Sequence, residues 1–180
     1  IKYGIYDNYG AKKEELKDLV IFYSAKEKKN VTLKEYTSKL ADNETSIYYA
    51  CGETIDKVDM LPQVETLKES GKDVLYLTDY IDEFVLKMLD KYDDKNFINV
   101  CSNSLQLDSK EEQDKLSSEN EKYKDMLSFI KEQLDNSVSD VRFTNKLGKH
   151  PVCLTSEGEV TTTMQKVINA MPTDETVKAK

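Results

Sequence analysis

Three carboxylates stand close together at Asp79, Asp82 and Glu83. Acids so spaced after a strand can hold Mg²⁺ or divide acid–base work between them. A simpler assignment makes Asp79 a helix cap and sets Asp82 and Glu83 against the positive end of the helix dipole. The three cysteines, Cys51, Cys101 and Cys153, lack CxxC spacing and lie far apart in the chain. They are expected as buried free thiols of a reducing compartment, not as a disulfide framework or a zinc site. The single histidine, His150, precedes Pro151 with no Cys or acid at ligand spacing, so it predicts neither a metal centre nor a Ser–His–acid or Cys–His nucleophile. Gly52-Glu53-Thr54 and Thr78-Asp79 are strand ends where α/β folds bind ligands, yet neither is a GxGxxG or a P-loop. The expectation is therefore no catalytic, cofactor-binding or metal-ligating set. The alternative is a small Rossmann-like or receiver-type enzyme using Asp79 and Asp82 with Mg²⁺. A last candidate is a stripe of Val160, Met164, Val167, Ile168 and Met171, which is either a core-facing helix side or a partly exposed, adaptable contact surface.

Composition narrows the partners. The chain has 180 residues, a formal charge of -8 and one arginine, Arg142. Lys12-Lys13 and Lys28-Lys29 are diluted by neighbouring acids, so no basic stripe forms and nucleic acid is not expected. No apolar run is long enough for a bilayer and no signal-peptide pattern is present, which predicts a soluble, cytoplasmic protein away from membranes. Ile1 stands where a translation product carries methionine, and Lys180 follows no terminating signal. A piece of a larger protein is expected.

The elements that position these residues follow from pattern. Leu16, Leu19, Val20 and Tyr23 predict a helix over 11–22, and a lysine-rich break at 26–30 follows. Thr32 and Glu35 form a capping box opening a short helix. Continuous apolar runs at 46–51, 74–77 and 96–101 predict buried strands. Between them lie a helix broken before Pro62 and closed at Gly71, and a second with Ile81, Phe84, Val85, Met88 and Tyr92 on one face. Strand–helix–strand–helix–strand with such strands implies parallel pairing and a small three-layer αβα sandwich. Ser109 to Glu112 reads as a second capping box, starting a long helix with Tyr123, Met126, Leu127, Ile130 and Leu134. Two strands at 138–144 and 152–155 and a helix at 161–170 complete a truncated α+β unit.

Several of these segments resemble the ninety-kilodalton heat-shock chaperones, in particular the bacterial type. Ile47-Tyr48-Tyr49-Ala50-Cys51-Gly52-Glu53 is similar to that family's IYYITGE strand, and residues 74–84 to its VLFLTDPIDEF segment. Residues 1–7 resemble IKLGIYED, 141–151 resemble VRVSHRLTDSPA, and 162–168 resemble the STQMERIM helix. Order and spacing are kept over nearly the whole chain. Tyr80 stands where the family has proline, and Cys51 where it has threonine.

The resemblance implies that residues 1–30 end the helical connector of a middle domain. It makes 31–110 the small αβα subdomain, and 111–180 the first part of a C-terminal domain lacking its dimerisation helices. The parent would be an ATP-dependent, Mg²⁺-using, homodimeric chaperone whose ATPase site lies upstream of Ile1, and this piece would be no enzyme. The resemblance also makes Met164, Val167, Ile168 and Met171 a client-binding face for non-native proteins.

Overall fold

Apolar runs and turn residues decide the order of the elements. The computed structural model describes residues 1–7, 9–41, 44–102, 110–135, 137–145, 147, 149–155 and 161–170. In chain order it begins with α1 (Lys2–Asp7), α2 (Lys13–Leu16), a 3-10 turn (Lys17–Leu19), β1 (Ile21–Ser24), β2 (Lys29–Thr32) and α3 (Leu33–Thr37). Next come β3 (Ser46–Cys51), α4 (Ile55–Asp59), α5 (Pro62–Glu69), β4 (Leu75–Leu77) and α6 (Asp82–Leu89). The short pair β5 (Lys91–Tyr92) and β6 (Lys95–Asn99) precedes α7 (Lys110–Lys122), α8 (Lys124–Gln133) and α9 (Thr162–Ala170).

The six strands form one mixed sheet in the order β2-β1-β4-β3-β6-β5. The expected parallel unit is its centre: β3 runs parallel to β4, with Tyr49 opposite Leu75, and parallel to β6, with Ile47 opposite Phe97. Side chains alternate between two cores. Ile47, Tyr49, Leu75 and Leu77 join Ile5, Phe22, Val85 and Leu86 on one face. Ala50 and Tyr76 join Val58, Val64 and Leu67 on the other. Helices α1, α3 and α6 therefore cover one side and α4 and α5 the opposite side. This is the three-layer αβα arrangement.

Local chemistry sets the joints. Thr32 accepts from the Glu35 amide at 3.1 Å while Glu35 accepts from the Thr32 amide at 2.8 Å, closing the capping box. Leu61 is extended ahead of Pro62, which separates α4 from α5. Gly71 ends α5 at φ +77°. Gly52 leaves β3 where a Cβ would lie 2.6 Å from Val58 Cγ2, so backbone and a fully buried side chain meet there only because the position is bare.

Five expectations are corrected. The helix over 11–22 stops by Leu19, and Phe22 and Tyr23 belong to β1, because pairing with β2 and β4 outweighs a local period that a short strand also satisfies. The lysine-rich break is a break, but shorter than 26–30: it is the turn of that hairpin, with Lys28 at φ +54°, and Lys29 and Asn30 already belong to β2. Tyr92 leaves the helix face: α6 ends at Asp90 (φ +64°), and Asp93 and Asp94, both at positive φ, turn β5 back onto β6. The long helix is interrupted at Tyr123.

The fifth correction concerns the strands expected at 138–144 and 152–155, which form no ladder among the described residues. Side chains take their backbone groups instead: Asn120 Oδ1 accepts from the Phe143 amide at 2.8 Å, and Gln63 Nε2 donates to the Leu154 carbonyl at 3.4 Å. Where an α+β unit is expected, the described residues are helical with irregular connections. Ser109, Val160 and Met171 lie outside the described residues.

Candidate functional site

The acidic turn before α6 is where the structure departs most from a simple helix start. Ile81, not Asp79, occupies the N-cap position, with no side-chain cap. Instead, the Asp82 carboxylate accepts from the Asp79 amide at 3.2 Å. Lys2 supplies the countercharge, with Nζ 2.6 Å from Asp82 Oδ1 and 3.2 Å from Asp79 Oδ2. The same ammonium sits 4.7 Å over the Phe22 ring. Burial pushes the Asp82 carboxyl above its ordinary range, opposed by Lys2. The pair thus has a lysine where the Mg²⁺ alternative would place a cation. Among the described residues, no three His, Cys, Asp or Glu side chains are grouped to hold a metal ion. The Mg²⁺-dependent reading of Asp79 and Asp82 is not supported.

Glu83 does something different. It is 2% exposed and points into the sheet. Its Oε1 accepts from Asn99 Nδ2 at 3.0 Å and Tyr49 Oη at 3.3 Å. Its Oε2 accepts from Thr161 Oγ1 at 2.5 Å. A carboxylate stripped of water needs such donors, and here it draws them from β3, from β6 and from the residue before α9. The Tyr49 hydroxyl is held protonated, first by burial and then by the Glu83 charge.

Thr161 has a second bond. Its hydroxyl accepts from the Met164 amide at 3.1 Å, which caps α9. One side chain therefore both starts the helix and fastens it to α6. Of the predicted client-binding residues, Met164 is 5% exposed and faces the protein, while Val167 and Ile168 are half-buried. Met171 lies outside the described residues. On the outer side, Lys166 Nζ reaches Glu53 Oε1 at a longer 3.9 Å.

The remaining singular residues are structural joints. His150 Nε2 lies 3.0 Å from Glu65 Oε2 on α5, a partner the linear spacing did not reveal. Cys51, Cys101 and Cys153 are in no disulfide and are partly buried. Burial raises the Cys51 thiol well above its ordinary value, with Glu83 and Cys101 adding to it. Burial likewise pushes Cys101 up to about 12, with the nearby Cys153 next in effect. Cysteines remote in sequence are thus neighbours around the carboxyl ends of the strands.

Sequence reasoning missed the inward role of Glu83 and the double role of Thr161. A usable signal for the second was present: a threonine immediately before an amphipathic run is a good helix cap.

Comparison with known proteins agrees with this fold. The family model described as Hsp90 protein matches residues 1–180. The chaperone protein HtpG of Bacillus subtilis is 45% identical over 180 residues, covering 100% of this chain and 29% of that protein. HtpG of Clostridium acetobutylicum is also 45% identical over 180 residues, covering 28% of its length. The solved middle domain of a Plasmodium falciparum heat shock protein is 32% identical, with a TM-score of 0.50 over 55% of this chain and 42% of that one. The chain therefore spans under a third of the length of the curated relatives it matches. With every residue inside the family match and nearly half identical to those relatives, the chain belongs to the Hsp90 family.

Proposed function

We propose that this chain is the scaffold and client-contact segment of an ATP-dependent molecular chaperone that assists folding and prevents aggregation. The observation that carries it is α9, an amphipathic helix seated at the rim of the αβα unit in a chain that is 45% identical to HtpG chaperones throughout. Residues 1–30 act as the end of the middle-domain connector, 31–110 as its small αβα subdomain, and 111–180 as the opening of the C-terminal domain. Nucleotide and Mg²⁺ are bound elsewhere in the longer cytoplasmic protein, whose homodimer contacts also lie outside this segment. No ATPase chemistry is assigned to these residues.

The client face is Val167 and Ile168 on the half-buried side of α9, with Met164 beneath; the family resemblance adds Met171, which lies outside the described residues. Hydrophobic burial against non-native chains supplies affinity, and the adaptable methionines supply breadth. No helix of the described residues is long and apolar enough to cross a membrane. The test is Val167→Lys with Ile168→Lys in the full-length chaperone. Suppression of client aggregation should fall while circular dichroism stays unchanged. Undiminished suppression overturns the client face, and tight ATP binding by the isolated 180-residue chain in calorimetry overturns the scaffold assignment.

A further inference from the structure

Helix α9 hides the residue that would be most useful to it exposed. Met164, unbranched and adaptable, is buried, and the hydroxyl that caps its amide is spent on Glu83. Both Glu83 oxygens are filled, Oε1 from inside the sheet by Tyr49 and Asn99, and Oε2 by Thr161. The sheet-side bonds do not depend on α9. The Oε2 bond does, and it is a charge-assisted bond that joins α9 to α6. The other polar tie, Lys166 to Glu53, is long and joins two exposed groups, so it adds little.

We propose that the Glu83–Thr161 bond is a latch holding α9 in a closed, self-covering position. Its release swings the start of α9 off α6 and presents Met164 with Val167 and Ile168 as one continuous face for apolar stretches of non-native chains. Water replaces Thr161 on Glu83 Oε2 in the open form, so opening leaves no orphaned charge, and the closed form is favoured by the bond and by Met164 burial together. Glu83 is thus a positioning residue acting on the client face through Thr161. This proposal rests on the client-contact reading of α9.

The test compares Glu83→Gln, Thr161→Val, their combination and Thr161→Ser in the 180-residue chain. Amide exchange of α9 and oxidation of Met164 by hydrogen peroxide are read by mass spectrometry. Each of the first two variants should raise both rates by about tenfold or more. The double variant should add little, and Thr161→Ser should match the parent, while β3 and β6 stay protected. A rise in Thr161→Val alone, with Glu83→Gln silent, means simple capping and overturns the latch. If Glu83→Gln loosens the sheet itself, Thr161→Asp decides, because it keeps an acceptor for the Met164 amide but has no proton for Glu83: raised rates support the latch, and rates matching the parent overturn it. In the full-length chaperone, Thr161→Val should strengthen aggregation suppression. Opening of α9 without that gain sinks the client face and leaves the latch, whereas no opening sinks the latch alone.

Discussion

Lys2 Nζ lies 2.6 Å from Asp82 Oδ1, which binds the first helix of the chain to the first turn of α6. Asp82 is buried and Lys2 mostly so, leaving little solvent to screen them. Removing the ammonium strands a buried carboxylate, the costly half of such a pair. Lys2→Met is expected to lose about 3 kcal/mol in urea unfolding at neutral pH, and adding Asp82→Asn should restore part of it. Asp82 already has a folded-state value above its unfolded one, so its protonated form favours the fold. Lys2→Met should accordingly regain stability as the pH falls toward the folded-state value of Asp82, and lose it as the pH rises through that value.

Acid should act in the opposite sense at Glu44. The Lys72 ammonium, 2.7 Å away, holds this carboxyl below the ordinary range. Its stabilising contribution is present above the unfolded value and disappears as the pH falls through the depressed folded one. Glu44→Gln should cost about 1 kcal/mol at neutral pH, since the pair is partly exposed. The difference from the parent should vanish once both states are protonated, as followed by thermal melts across an acid series.

Thiol labelling should separate native from unfolded chain sharply. Burial keeps Cys51 and Cys101 protonated near neutral pH, and a protonated thiol is a poor nucleophile. With iodoacetamide at mildly alkaline pH, these two should label about a hundredfold more slowly in native protein than in urea. Comparable rates in both states would contradict the burial described here.

Gly52 offers a packing test. A methyl there meets Val58 Cγ2 at 2.6 Å, and Val58 is fully buried. Gly52→Ala should cost about 1–3 kcal/mol by forcing a shift of α4 against β3. Trimming the obstacle with Val58→Ala in the same chain should make the glycine substitution nearly neutral relative to Val58→Ala alone.

Much of this fold was legible because local and global preferences agree. The runs at Ile47–Cys51 and Val74–Leu77 are apolar on both sides, and only a covered parallel sheet satisfies them. Thr32 with Glu35, Pro62 and Gly71 each carry a self-contained backbone rule, and each holds. What escaped depends on partners remote in sequence. Tyr23 became a strand residue opposite Tyr76 of β4, and the 152–155 segment lost its strand character where Gln63 took the Leu154 carbonyl. The site followed the same division: the amphipathic stripe of α9 was visible in its period, but which side is covered depends on Glu83, a residue whose inward direction no periodicity reveals.

One register has a consequence for anyone dividing this chain. β1 sits between β2 and β4, with Ser24 opposite Leu75 and the Ala25 amide donating to the Val74 carbonyl at 3.0 Å. Strand β4 is buried at every residue, and without β1 its outer rim would present unsatisfied amides and carbonyls beside apolar side chains. A chain begun after position 30 would expose that rim and recruit other copies to it. The opening hairpin thus acts as a sheath that keeps the central strands from polymerising.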